Sequence, residues 1–78
     1  MNLIEATREA MRTGQGMTRF KERLEKGNRV GVIKPGNSHD ACGIASVEKK
    51  VVTGWWRNWN PTADDLMADD WELVEITE

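Results

Sequence analysis

All four tryptophans of this 78-residue chain fall in one stretch, WWRNWNPTADDLMADDW, residues 55 to 71. The residues leading into it, 51 to 59, read as a β-strand. On a regular strand Val51, Thr53, Trp55, Arg57 and Trp59 share one face, and Val52, Gly54, Trp56 and Asn58 share the other. Indoles therefore stand on both faces. A small antiparallel sheet backed by one helix has a single core face. One set of indoles is then expected to meet a second subunit or a ligand.

Arg57 between Trp55 and Trp59 admits two readings. A guanidinium flanked by indoles can hold an anion while the rings stack on a base. Equally, Trp55 and Trp59 are ordinary core and Arg57 extends past them to the rim. The strand pattern alone favours the core.

Composition narrows the function classes. The hydrophobic fraction is 38% and the charged fraction 31%, so much of the buried apolar area must come from the tryptophans. A chain this short is a single domain, 1–78, and is marginal alone, which favours a homodimer or homotetramer. The formal net charge of −2 argues against a nucleic-acid polymer as partner, because a duplex demands a dense basic surface. A lone cysteine, Cys42, forms no internal disulfide and suggests the cytoplasm. No basic segment followed by an apolar stretch suggests a signal peptide, and no apolar run approaches a membrane span.

Local signals order the elements. Residues 2 to 13 form the best helix, with Asn2 and Glu5 spaced as a capping box and Gly14 as the stop. Leu3, Thr7, Ala10 and Met11 are expected on its inner face, with Ile4 beside them. Met17 to Phe20 opens a first strand carrying Arg19. Residues 21 to 27, KERLEKG, read as a turn or one helical turn. RVGVIK, residues 29 to 34, is a strand ended by Pro35-Gly36. Residues 42 to 47 and 51 to 59 form a hairpin around Glu48-Lys49-Lys50. Thr62 caps a short helix with Asp64 and Asp65 in its first turn, from which Leu66 and Met67 point inward. Trp71 to Ile76 is the last strand. The fold class is α+β: a small antiparallel sheet packed with an N-terminal helix and a short helix before the last strand.

Other constellations carry less. Asp64, Asp65, Asp69 and Asp70 lack the alternate-position spacing of a calcium loop, and helix-start and turn acids explain them. His39, Asp40 and Cys42 share a polar loop. One His and one Cys in the whole chain do not make a zinc site, so no metal is expected. GQG at 14 to 16 and KPGNS at 34 to 38 lack the spacing of phosphate-binding loops. Asp70 is expected to tie its turn to backbone N–H groups, and Trp71 to anchor the last strand.

The run Trp59, Pro61-Thr62, Asp65-Leu66-Met67-Ala68 and Asp70-Trp71 resembles the C-terminal signature of the second Thoeris anti-defence family of phage proteins. The early helix ending in Gly, then a short strand bearing an arginine, is also similar to that family. The resemblance implies a small α+β homo-oligomer, often a tetramer. It further implies that the protein sequesters a nucleotide immune signal in the host bacterial cytoplasm without cleaving it. Family ligands are cyclised ADP-ribose derivatives, and some members hold cyclic dinucleotides. By position, Arg19, Trp59, Thr62 and Asp65 match the family's pocket region. The chain departs from the pattern at Phe20-Lys21-Glu22-Arg23, where the family has Gly-Trp, and at Ala63, where Gln is common. Trp55-Trp56 are expected to supply replacement aromatic surface. The ligand site is thus expected to draw on Arg19, Phe20, Trp55, Arg57, Trp59, Thr62 and Asp65. No catalytic residue, metal or cofactor is expected. The alternative is a small inhibitor that covers a host defence protein through an aromatic patch.

Overall fold

A computed structural model describes residues 1–36, 42–49, 51–56 and 58–75. The elements run α1 (Leu3–Thr13), β1 (Gly16–Thr18), α2 (Lys21–Glu25), β2 (Val30–Lys34), β3 (Gly43–Glu48), β4 (Val51–Trp56), α3 (Ala63–Met67) and β5 (Glu72–Val74). The strands make one antiparallel sheet in the order β4-β3-β2-β1-β5. The α+β class holds, with the expected N-terminal helix and the short helix before the last strand.

The helix ends follow their caps. Asn2 Oδ1 accepts the Glu5 N–H at 2.9 Å, and the Glu5 carboxylate accepts the Asn2 N–H at 3.2 Å. Gly14 closes α1 at φ 73°, its N–H donating to the Ala10 carbonyl, a backbone conformation that suits glycine. Lys34 then reaches across from β2 to donate to the Gly14 carbonyl. The inner face of α1 is centred on Ala6 and Ala10, at 0% and 1% exposure, and not on Met11 or Ile4, which are exposed. Ala6 packs with Met17 of β1, and so small a side chain lets the helix settle close to the sheet. Leu3, Thr7 and Ala10 keep their expected inner positions, and Met11 and Ile4 do not.

The sheet has two covered faces, against the single core face expected. Residues directly opposite on paired strands share a face. Met17 therefore stands with Ile33, Ile44 and Leu73, under α1 and the segment bearing Trp59 and Trp71. Val30, Val32, Ala45, Val47 and Val74 lie on the other face and pack with Leu24 of α2. The segment 21–27 thus carries a short helix whose one buried residue, Leu24, closes the second layer. β1 lies between β2 and β5 and is buried throughout. The hydroxyl of its fully buried Thr18 donates to the Gly31 carbonyl and accepts the Phe20 N–H, which satisfies it and turns the chain into α2.

β4 departs from regular alternation. Ser46 pairs with Gly54 but Val47 with Val52, leaving Thr53 as an extra residue. Such a bulge shifts the side chains beyond it by one position. Trp55, opposite Ala45, therefore shares the Val52 face, and Trp56 stands opposite Ile44 on the face of Gly54. The face sets expected from strict alternation are overturned by this one residue. β4 also ends at Trp56, and Trp59 lies beyond it, its N–H donating to the Cys42 carbonyl at 2.8 Å. Arg57, His39, Asp40, Lys50 and Ile76 lie outside the described residues.

The C-terminal region gathers on Trp71. Its side chain is 1% exposed. The indole N–H donates to the Asp65 carbonyl at 3.0 Å, the ring meets Trp59 edge to face at 5.7 Å, and its backbone N–H donates to the Met1 carbonyl. Leu66 and Met67 do not point inward: they are 54% and 76% exposed. Because Trp71 holds α3 by a backbone carbonyl, this short helix needs no apolar face of its own to stay in place. Trp71→Ala is expected to cost about 3–5 kcal/mol, the range for deleting a buried aromatic. Trp56→Ala, on the exposed edge, is expected to fall within about 0.5 kcal/mol. Urea unfolding of both variants checks this. Equal midpoints for the two would contradict the assignment of Trp71 as the anchor.

Candidate functional site

Arg19 follows β1 at the point where the chain leaves the sheet, and its guanidinium meets two carboxylates. Nη1 donates to Asp65 Oδ1 at 3.1 Å, and Nε donates to Asp70 Oδ1 at 2.9 Å. The Arg19 and Asp65 side chains are each 22% exposed, whereas that of Asp70 is 61% exposed. Asp65 is set by the α3 cap. Its Oδ2 accepts the Thr62 N–H at 3.0 Å, and its own N–H donates to Thr62 Oγ1 at 3.2 Å. Thr62 thus caps α3 as expected, and the capping carboxylate has a second task in placing Arg19. Asp70 binds the arginine side chain and not the backbone N–H groups expected for it.

Phe20 adds an aromatic surface. Its ring is 43% exposed, with the Arg19 guanidinium carbon 5.9 Å and that of Arg23 5.4 Å from its centroid. A ring with cations beside it offers a base a stacking face and a phosphate two charges. The guanidinium of Arg19 retains unused donors, since two of its five N–H groups meet the carboxylates.

The electrostatics reinforce this pairing. The Asp65 carboxyl is held below the ordinary carboxylate range, first by the Thr62 backbone N–H and then by the Arg19 guanidinium, against the opposing pull of burial. The Arg19 pKa is raised by its hydrogen bonds to Asp70 and then Asp65, so it stays charged. No three His, Cys, Asp or Glu side chains come together to hold a metal ion among the described residues. Nor does any helix among them have the length and apolarity to cross a membrane.

The model of the Thoeris anti-defense 2-like domain matches residues 1–74. The chain belongs to that family. Its role is accordingly in Thoeris anti-defence. Neither a search of curated proteins nor one of solved structures returned a match.

In this family member the expected site residues fall into separate groups. Arg19, Phe20, Thr62 and Asp65 come together at the junction of β1, α2 and α3. Trp59 stands behind them, in edge contact with Trp71. Trp55 is elsewhere, on β4, three strands from β1, about 14 Å at the usual strand spacing. It leans on β3, where a Cβ at Gly43 would stand 3.4 Å from its ring. Arg23 and Asp70 join the site without having been expected there. Arg23 had a signal, its spacing of three from Phe20 on a helix. Asp70 had none, because its partner lies 51 residues away.

A depressed folded pKa at Asp65 means that its contribution to stability is complete above the unfolded value, about 4, and is lost as pH falls through the folded one. The thermal midpoint is therefore expected to be flat between about pH 5 and 8 and to drop in acid. Asp65→Asn is expected to lower the midpoint at neutral pH and to flatten the acid slope. Scanning calorimetry across pH checks this, and an unchanged slope in the variant would remove Asp65 as its source.

Proposed function

We propose that this anti-defence protein binds an anionic cyclic nucleotide signal, a cyclised ADP-ribose derivative or a cyclic dinucleotide, and sequesters it intact. The observation that carries this reading is the exposed Phe20 ring with Arg19 and Arg23 beside it. Stacking on the ring suits a base, and the guanidiniums suit phosphate oxygens. Thr62 and Asp65 suit a ribose hydroxyl or a base edge. A non-catalytic role is supported by the state of the nearby carboxylates. Asp65 is held ionised by the Thr62 backbone N–H and by Arg19, which makes it a weak general base.

Titration calorimetry with glyco-cyclic ADP-ribose and a panel of cyclic dinucleotides tests the proposal. Arg19→Ala is expected to weaken binding about ten- to a hundred-fold, and Arg23→Ala about ten-fold, as for hydrogen bonds to charged groups. Arg19→Ala is also expected to lower the melting temperature, because it leaves Asp65 and Asp70 without their shared cation. Arg23→Ala is not. Absence of heat from every nucleotide, with a folded protein, would sink the proposal.

A second reading has its own observation. Val51, Trp55 and Trp56 are 55%, 42% and 59% exposed on the edge strand β4. Trp-rich exposed surface suits a protein partner. We assign that edge to a second copy of the chain, giving a homodimer or homotetramer. An inhibitor that covers a host defence protein is the competing use of the same surface. Light scattering at micromolar concentration is expected to give a dimer or tetramer, and Trp55→Ser with Trp56→Ser is expected to lower the mass. A wild-type monomer would pass the edge to the inhibitor reading.

A further inference from the structure

The two carboxylates on Arg19 are not equivalent. Asp65 is fixed on every side: its carboxylate caps Thr62, its N–H is bound by the Thr62 hydroxyl, and its carbonyl receives the Trp71 indole. Asp70 makes one side-chain hydrogen bond among the described residues, to Arg19 Nε, and its side chain is 61% exposed. An exposed ion pair of this kind contributes little and is easily surrendered. The edge that Asp70 occupies is also the useful one. Nε and Nη2 of a guanidinium form a fork that matches two oxygens of one phosphate. Asp70 uses only Nε of that fork.

We infer that Asp70 is a displaceable internal counter-anion that fills the Nε edge of Arg19 in the free protein and yields it to a phosphate group of the ligand. Asp65 keeps the guanidinium in place throughout. This rests on the reading of Arg19 as a phosphate holder. The arrangement selects among anions. A monocarboxylate gains nothing over the carboxylate already present, whereas a diphosphate brings more charge and both oxygens of the fork. Occupancy of the edge by Asp70 is therefore a built-in discrimination against weak anions.

The test follows the Arg19 Nε–Hε resonance by nuclear magnetic resonance while inorganic pyrophosphate, or acetate, is added to wild type, Asp70→Asn and Asp65→Asn. Asp70→Asn is expected to bind pyrophosphate about two- to five-fold more tightly than wild type, the range set by an exposed ion pair, and to begin responding to acetate. Asp65→Asn is expected to bind pyrophosphate more weakly, because Arg19 loses its fixed partner. A role for Asp70 in folding alone would not produce these opposite signs. Should Asp70→Asn fail to fold, Asp70→Ser takes its place. Equal or weaker binding by the Asp70 variant overturns the inference, as does an Arg19 resonance that pyrophosphate leaves unmoved in wild type and variant alike. The pyrophosphate series is independent of the cyclic-nucleotide calorimetry. A null calorimetry panel with the expected series removes sequestration and keeps the displaceable anion. The converse removes the displaceable anion alone.

Discussion

The burial of Trp71 is the constraint on which the rest of the structure depends. Its ring fills the space between α1 and the sheet with Ala6, Met17 and Ile33. Its indole N–H takes the Asp65 carbonyl, which fixes α3, and its backbone N–H takes the Met1 carbonyl, which ties the start of the chain to its end. The five residues of α3 bury none of their own side chains. Without Trp71 that helix has its cap but little to lie against, since short helices draw their stability from packing. The Asp65 carboxylate, and through it Arg19, inherits its position from the same contact. The site and the core are therefore one construction.

The tryptophans divide accordingly. Trp71 and Trp59 make the core beneath the Arg19 cluster, and Trp55 and Trp56 stand exposed on the far edge of the sheet. A chain of this length with one layer on each face of the sheet has little core to spare. Leaving two indoles on an open edge strand is costly in water unless something covers them. The proposed assembly through β4 supplies that cover, and the proposed nucleotide site lies at the other side of the sheet, where assembly would leave it open.

Much of this was legible in local chemistry. The capping box Asn2/Glu5, the stop at Gly14 and the Thr62 cap depend on near neighbours in sequence, and local spacing locates them; that Asp65 returns the Thr62 cap as a second box is seen only in the structure. The strand at 29 to 34 is marked by β-branched residues between turn signals. What sequence spacing does not carry is the bulge at Thr53, because one unpaired residue leaves no compositional mark yet reverses the faces of Trp55 and Trp56. Nor does it carry the second covered face, which depends on a single leucine in a charged segment, or the pairing of Arg19 with Asp70 beside the adjoining ends of β1 and β5. Arg19 itself was visible as a charge among apolar residues. Its partners are set by tertiary structure, which ties Asp65 also to Thr62 and Trp71 and leaves Asp70 exposed with Arg19 as its side-chain partner among the described residues.

This member of the Thoeris anti-defense 2-like family is proposed to hold a nucleotide signal without altering it. The most direct measurement loads the folded protein with glyco-cyclic ADP-ribose, removes free nucleotide by gel filtration, heat-denatures the complex and identifies what is released by mass spectrometry. Stoichiometric release of the intact cyclic nucleotide is expected. A hydrolysed product, or folded protein that retains no nucleotide, would contradict it.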